Sequence, residues 1–260
     1  MPFWLISNQN GINYRNSKLY FSIDKYKNIS NYNVQYGLKL NFPYSNSINS
    51  SIEKGFIKVS NNTYYLSFGR LNQYISNESR SLSSGSLIMS KNSIPIPMIN
   101  IGVIDYIPQP IFQFDFQFKG GLSHGWLDKG QYLISPFLHQ KNLYVKKVIN
   151  SSQSLTFGIV HMAIWGGKTR IHGNQPQKMS DYLRIFFLQP GSDKDIKQER
   201  VNTLGNHLGI WDLAYEKEIN QKKYKFYYQH PFEDESGARW LSNRFDGLYG
   251  IEIQSNQVTS

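Results

Sequence analysis

Hydrophobic and polar residues alternate strictly over residues 111–121, which read IFQFDFQFKGG. Successive side chains of a β-strand point to opposite faces, so the phenylalanines share one face and the Gln, Asp and Lys residues share the other. A helix would scatter the rings around its axis. Two environments suit such a strand: a soluble sandwich whose core receives the rings, or a transmembrane barrel whose rings face lipid and whose polar side faces a wet lumen. This strand alone does not separate them.

Longer alternating runs elsewhere in the chain favour the barrel. The same period of two runs through residues 33–42, 211–216, 223–228 and 249–253. The longest runs reach roughly ten residues, the length that a tilted strand needs to cross a bilayer, whereas strands of soluble domains average about five or six. We therefore predict an all-β protein, a transmembrane antiparallel β-barrel of the outer-membrane type that is incomplete in this chain. Its predicted lipid-facing residues include Phe112, Phe114, Phe116 and Phe118.

Turn signals divide the first part of the chain into hairpins and a loop. Two hairpins are predicted in residues 17–70, and a tight two-residue turn at Asn61 and Asn62 closes the second, since Asn tolerates positive φ. Residues 71–110 contain four prolines, which argue against a central strand. We expect this segment to be an ordered loop folded into the lumen.

The second part of the chain alternates strands with polar connections. One short loop helix is predicted at residues 180–188, with Ser180 as its N-cap and Asp181 in its first turn. Residues 189–206 are polar and are expected to form an exposed loop. The total is roughly ten to twelve strands in a single partial barrel domain over residues 1–260. Strands are predicted at residues 131–138, 143–149, 154–165, 209–219, 222–229 and 247–254.

Composition and charge narrow the function classes. The 260 residues are 40% hydrophobic, 18% charged and 15% aromatic, whereas soluble proteins average about 25% charged residues. The chain has no cysteine, which excludes disulfides and Cys-based metal sites. Its net charge is +10, but the basic residues form no cluster typical of nucleic-acid binding, and an acidic polysaccharide fits the charge better. The start lacks a signal peptide and both ends look cut, so we expect a fragment of a longer secreted precursor.

Candidate chemistry is sparse. The six histidines include no i, i+4 pair and no HExxH motif, so no metal or other cofactor is expected. Glu233, Asp234 and Glu235 form the densest acidic cluster, which leaves a soluble glycan-processing enzyme as an alternative. Trp126, Trp165 and Trp240 adjoin polar residues, as rings that stack on sugars do. The alternative for these rings is anchoring at the membrane interface, and Trp211 is expected to face lipid.

Seven stretches in the same order resemble the Wzi-type capsule assembly proteins of Gram-negative outer membranes, in the form found in Bacteroidetes. They read SLSSGSLIMSKNSIPIPMINIG, KGGLSHGWL, FLHQKNLYVK, HMAIWGG, SDYLRIFFL, LGNHLGIWDLAYE and FEDESGARWLSNRFDGLYGIEI. The resemblance implies an outer-membrane β-barrel lectin that binds capsular or exported polysaccharide and has no catalytic activity and no cofactor.

The expected partners follow from the resemblance together with the charge pattern, and the expected contacts follow from the residue types, with Trp rings to stack on sugars and Arg to meet acidic groups. The partners are capsular or extracellular polysaccharide and outer-membrane lipid, for a monomer that binds no nucleic acid. A general porin-like channel is the alternative within the same fold. The candidate polysaccharide contacts are His124, Trp126, Trp165, Arg170, Asn206, His207, Arg239 and Trp240.

Overall fold

The computed structural model describes residues 17–43, 51–78, 83, 85–109, 115–130, 133–192, 200–233, 237 and 245–255. Strands account for most of this part of the chain. The first eight strands are β1 Ser17–Ile29, β2 Tyr32–Pro43, β3 Ser51–Ser60, β4 Tyr64–Arg70, β5 Pro97–Val103, β6 Ile107–Pro108, β7 Phe116–Trp126 and β8 Leu133–Ile134. Then follow β9 Phe137–Asn150, β10 Gln153–Trp165, β11 Lys168–Thr169, β12 Gly173–Asn174, the helix α1 Met179–Phe186, β13 Asn206–Ile219, β14 Lys222–Phe232 and β15 Leu248–Ser255.

The long strands form one antiparallel sheet in which chain neighbours pair with each other. This 12-stranded sheet has the order β1-β2-β3-β4-β5-β7-β9-β10-β13-β14-β15, and β6 pairs with β7. Within the described residues the sheet is open, with β1 and β15 at its edges. A small sheet of β12, β11 and β8 lies apart from it. No helix in the described part of the chain is long and apolar enough to span a membrane.

One face of the large sheet, called the outer face, is covered by exposed apolar side chains. In one row across four strands, Phe118 pairs with Val145, Val145 with Phe157 and Phe157 with Leu213. The exposed residues on this face, called the apolar belt, include Phe21, Ile23, Ile57, Leu66, Phe68, Ile99, Ile101, Leu143, Leu155, Phe157, Phe226 and Ile251. Such a continuous apolar surface is too large for a protein face that meets water.

Only two of the four alternating phenylalanines that predicted this apolar face lie within the described residues. Phe116 and Phe118 lie on the outer face in β7, opposite Lys147 and Val145 of β9, whereas Phe112 and Phe114 lie outside the described residues. Trp211 is also on the outer face, where its ring stacks on Phe157 with 5.5 Å between centroids. Contact of these side chains with lipid stays a prediction.

The opposite face, called the inner face, carries polar and charged side chains and is lined by a loop. This inner loop comprises the described residues 71–78 and 85–96. The backbone N–H of Asn77 donates to Asp212 Oδ2 over 2.8 Å, and that of Leu87 donates to Gln229 Oε1 over 3.1 Å. The expectation that this segment is an ordered loop on the lumen side of the sheet is confirmed for these residues.

Apolar side chains of the inner loop pack against a small cluster on the inner face. Ile75 and Ile88 contact the cluster formed by Tyr144, Val160 and Ile210. The ring of Tyr144 lies across Gly158, where a Cβ atom would be 2.1 Å from the ring. A glycine is needed there because any side chain would displace the ring.

The expected exclusion of a strand from residues 71–110 is wrong. β5 lies between β4 and β7 and pairs with both. Pro97 occupies its first position, which tolerates proline, and the next residues keep the N–H groups that a central strand requires. The prolines therefore bound the strand and do not prevent it.

The connection between β3 and β4 also differs from the prediction. The N–H of Asn61 donates to Tyr64 O over 3.0 Å, and Asn61 Oδ1 accepts from the N–H groups of Thr63 and Tyr64 at 2.8 and 2.6 Å. Neither Asn61 nor Asn62 has positive φ. The side-chain acceptor organises this turn and takes the place of the positive-φ geometry.

Two boundaries in the second half are corrected. β9 runs without a break through residues 139–142, because Gln140 and Asn142 face the polar inner side while His139 and Lys141 lie beneath α1 on the outer side. The helix Met179–Phe186 begins one residue earlier and ends two residues earlier than predicted, and its N-cap is Lys178 and not Ser180. Asp181 does lie in the first turn.

Candidate functional site

The structure brings several of the predicted contact residues together on the outer face beneath α1. His124 and Trp126, at the end of β7, have ring centroids 5.2 Å apart, and the His124 ring lies 6.1 Å from that of Trp165. Tyr182 of α1 covers this group, with its ring 5.7 Å from Trp165. Trp165 is only 5% exposed, so its ring has no open face for a sugar, whereas Trp126 at the edge is 38% exposed.

His207 is buried and held by hydrogen bonds to its neighbours. His161 Nε2 and His207 Nδ1 are 2.8 Å apart, and His207 Nε2 is 2.7 Å from Leu204 O. Since a carbonyl only accepts, His207 donates to Leu204 and accepts from His161. Leu204 is itself buried against Ile185 of α1, so it departs from the exposed loop expected for residues 189–206. These imidazoles anchor the connection between β10 and β13.

Of the remaining predicted contact residues, two are exposed to solvent and two lie outside the described residues. Arg170 and Asn206 are exposed on the connection that carries α1 and at the start of β13. Arg239 and Trp240 lie outside the described residues. Within the part of the chain that the structure describes, no group of three His, Asp or Glu residues could hold a metal ion. Sugar contact by any of the predicted residues stays a prediction.

A larger polar site lies on the inner face, between the sheet and the inner loop. This inner cavity has a volume of about 340 Å³ and is lined by residues of five strands, β3, β4, β5, β7 and β9, and of the inner loop. Its polar lining residues are Lys58 of β3, Tyr65 and Ser67 of β4, Asn72, Gln73 and Tyr74 of the inner loop, Lys119 and Ser123 of β7, and Gln140 and Asn142 of β9. The lining contains two lysines and no carboxylate.

Hydrogen bonds fix part of this lining. Gln140 Nε2 donates to Gln73 Oε1 over 2.8 Å, and Gln73 Nε2 donates in turn to Asn100 Oδ1. Asn100 Nδ2 donates to Ser67 Oγ over 3.0 Å. The chain of amides connects the inner loop to three strands, so the polar groups are held in place before any ligand arrives.

Lysines and tyrosines lie against each other around the inner cavity. Lys58 Nζ is 4.8 Å from the centroid of the Tyr65 ring, and Tyr106 has Lys146 Nζ at 5.3 Å and Lys119 Nζ at 5.8 Å. Burial raises the pKa of Tyr106 to about 12, because removal from water disfavours the phenolate.

A second basic pocket lies further along the inner face, at the end where the short turns join the strands. It has a volume of about 280 Å³. Glu216 Oε1 lies 3.2 Å from Lys223 Nζ and 4.0 Å from Lys225 Nζ, and its Oε2 lies 3.7 Å from Lys146 Nζ. Three ammonium groups surround this carboxylate, but Glu218 also lines the pocket and Glu252 lies opposite Lys225, so only a small excess of positive charge is available to attract anions.

The inner face therefore offers donors, cations and aromatic rings. Ammonium groups bind carboxylate oxygens through charge-assisted hydrogen bonds, and amide and hydroxyl groups match sugar hydroxyls. The sequence placed Lys119, Lys223 and Lys225 on polar strand faces, because they alternate with apolar residues. It gave no signal that Lys58 and Lys119, from strands distant in sequence, line the same cavity.

Almost the whole chain matches one known protein family. The family model described as capsule assembly protein Wzi matches residues 5–258. The chain belongs to the Wzi family. No curated protein sequence matches this Wzi-family chain.

A solved structure of Wzi from Escherichia coli has a similar fold. It is described as an outer membrane protein involved in group 1 capsule assembly and as a carbohydrate-binding β-barrel. The TM-score is 0.60 at 15% sequence identity, and the match covers 92% of this chain and 47% of the solved chain. The present chain thus spans about half the length of that Wzi protein. The similarity confirms the predicted β-barrel fold, of which the open sheet represents a part.

Proposed function

We propose that this chain is part of an outer-membrane β-barrel that binds capsular or other exported polysaccharide and does not act as an enzyme. The observation that carries the proposal is the inner cavity, with its lysines, amides and tyrosines, in a member of a capsule assembly family. A cavity of about 340 Å³ is in the size range that ligand pockets commonly have. Its lining has no carboxylate pair of the kind that glycoside hydrolysis uses.

The outer face supports the membrane location in this proposal. The apolar belt crosses the sheet from Phe21 in β1 to Ile251 in β15, while charged side chains such as Lys119 and Glu216 lie on the inner face. This distribution is the reverse of a soluble sandwich and matches a barrel surrounded by lipid. The proposed partners are therefore outer-membrane lipid outside and polysaccharide inside, around a monomeric barrel.

Polysaccharide can also contact the end of the sheet where the long connections lie. Trp126, Arg170 and Asn206 retain exposed surface there. In outer-membrane barrels the long connections lie on the extracellular side, which is where capsule is assembled. We propose these residues as secondary contacts, with the inner cavity as the main site.

The test is a binding measurement with the full-length protein in detergent. Hyaluronan and alginate serve as acidic polysaccharides and dextran as a neutral one. We expect the acidic polymers to bind more tightly than dextran, and the combined change Lys58→Gln and Lys119→Gln to weaken acidic binding by about tenfold or more, since each 1.4 kcal/mol of lost binding energy is about tenfold in affinity. Added salt should weaken binding by screening the same contacts.

The control variant removes a lysine from the opposite face of the sheet. Lys147 lies beside the Phe116 ring on the outer face, with Nζ 5.0 Å from the ring centroid. Lys147→Gln removes one positive charge, half of the change in the double variant, without touching the cavity, so it should bind as the parent does. Equal loss in Lys147→Gln and the double variant, or equal binding of dextran and the acidic polymers, contradicts the proposed site.

A further inference from the structure

The helix α1 lies on the outer face of the sheet, next to the apolar belt. Tyr182 contacts His124 and His139, with ring centroids 6.1 and 5.4 Å apart, and Phe186 contacts His139 at 5.4 Å. Ile185 is fully buried against Ala163 and Trp165 at the end of β10 and against Leu204, which precedes β13. The buried side of α1 is therefore fully used by packing on the sheet.

The side of α1 that points away from the sheet is also apolar. Met179, Leu183 and Phe187 are 74%, 50% and 63% exposed. Residues four apart lie on the same side of a helix, so the three side chains form one strip, opposite the buried Asp181 and Ile185. Ile171, in the turn before the helix, is 87% exposed. Water is a poor environment for this concentration of apolar surface.

The segment that carries this strip is basic. Between residues 166 and 192, Lys168, Arg170, Lys178 and Arg184 are accompanied by a single acidic residue, Asp181. Asp181 is buried and its Oδ2 accepts a hydrogen bond from the N–H of Lys178 over 2.8 Å. The charge that this segment presents to its surroundings is therefore positive.

The part of the sheet on which α1 lies adjoins the apolar belt. Across the outer face, Ile57 pairs with Phe68, Phe68 with Ile99, and Ile99 with His124, which lies under Tyr182. The connection between β10 and β13 that contains α1 is one of the long connections, which barrels place at the extracellular side. The helix thus extends the lipid-facing surface at its outer margin.

We propose that α1 is an interfacial helix that inserts Met179, Leu183 and Phe187 into the outer leaflet and places its basic residues against anionic lipid headgroups. This inference rests on the membrane location proposed above. An amphipathic helix with Lys and Arg beside apolar residues binds an anionic membrane surface in this way. Bound lipid would hold α1 against the sheet and keep the polar rings beneath it shielded from water.

These 260 residues contain no cysteine, so site-specific labelling gives a direct test once any cysteine elsewhere in the full-length protein is replaced by serine. Leu183→Cys and Phe187→Cys in the full-length protein are labelled with an environment-sensitive fluorophore and reconstituted into vesicles with brominated acyl chains. Ile101→Cys in the middle of the apolar belt is the positive control, and Ser151→Cys in the turn between β9 and β10 is the negative control. A heat-modifiable gel shift confirms that each variant is folded.

We expect brominated lipid to quench the labels at positions 183 and 187, with a loss of fluorescence at least roughly half as large as the loss at position 101. The fluorescence of the label at position 151 should not change. Phosphatidylglycerol in the vesicles should increase the quenching at 183, and Lys168→Gln with Lys178→Gln should remove that increase. If lipid quenches the label at position 101 but not the labels at 183 and 187, the inference about α1 is wrong and the membrane location of the sheet still stands. If phosphatidylglycerol does not change the quenching at position 183, the proposed contact with anionic headgroups is wrong. If the label at position 101 is not quenched, the proposed membrane location is wrong as well.

Discussion

Leu143→Arg should prevent stable assembly of the barrel, whereas Asn142→Arg, one residue earlier in the same strand, should permit it. Leu143 lies in the middle of β9 on the outer face and is 52% exposed, opposite Ile159. An arginine on the lipid face of a barrel near the bilayer midplane costs about 2–4 kcal/mol. The measurement is the folded fraction of the full-length protein in lipid vesicles during urea titration.

The two neighbouring positions form a matched pair because alternate residues of a strand point to opposite faces. Asn142 faces the inner cavity, where a charged group meets water and polar side chains. Leu143→Ala separates the effect of losing the leucine from that of adding a charge, and it should cost much less than Leu143→Arg. Equal tolerance of arginine at 142 and 143 would show that the outer face does not meet lipid.

Asp212→Ala should release the inner loop from the sheet and lower stability. Asp212 Oδ2 accepts from Tyr144 Oη over 2.9 Å and from the N–H of Asn77 over 2.8 Å, at a position with no solvent exposure. Removing the carboxylate leaves both donors buried without an acceptor, a loss of about 2–4 kcal/mol by the usual magnitude of such bonds to charged groups. Thermal unfolding in detergent measures the loss.

Hydrogen exchange separates a local effect of Asp212→Ala from general instability. We expect faster exchange over residues 71–78 in the variant and little change in β1 to β3. Asp212→Asn keeps an oxygen that can accept one of the bonds, so it should show a smaller change at the same residues. Undiminished protection of residues 71–78 in Asp212→Ala would mean that Asp212 does not hold the loop.

Much of the fold was predictable because a period of two assigns side chains to faces directly. The predicted strands at residues 209–219, 222–229 and 247–254 correspond to β13, β14 and β15, and their outer and inner faces follow from the alternation alone. β5 was missed for a physical reason. Proline removes only its own N–H group, so Pro97 at the first position leaves the ladder beyond it intact.

The sites were harder to predict because they depend on contacts between distant segments. Trp165 and His207 have the residue types of a sugar site, but α1 docks on the outer face and covers them. The apolar residues Tyr182, Ile185 and Phe186 were the available signal for that docking. Lys58 and Lys119 become neighbours only through the pairing of β3, β4, β5 and β7, which the strand pattern does not specify.

In the proposed barrel, lipid meets the outer face while polysaccharide occupies the inner cavity. Cryo-electron microscopy of the full-length protein in lipid nanodiscs, with hyaluronan oligosaccharide added, tests both contacts in a single map. We expect acyl-chain density against Leu143 and Phe118, and sugar density beside Lys58 and Lys119. Protein density covering the outer face, or sugar density confined to a site away from the inner cavity, would contradict this proposal.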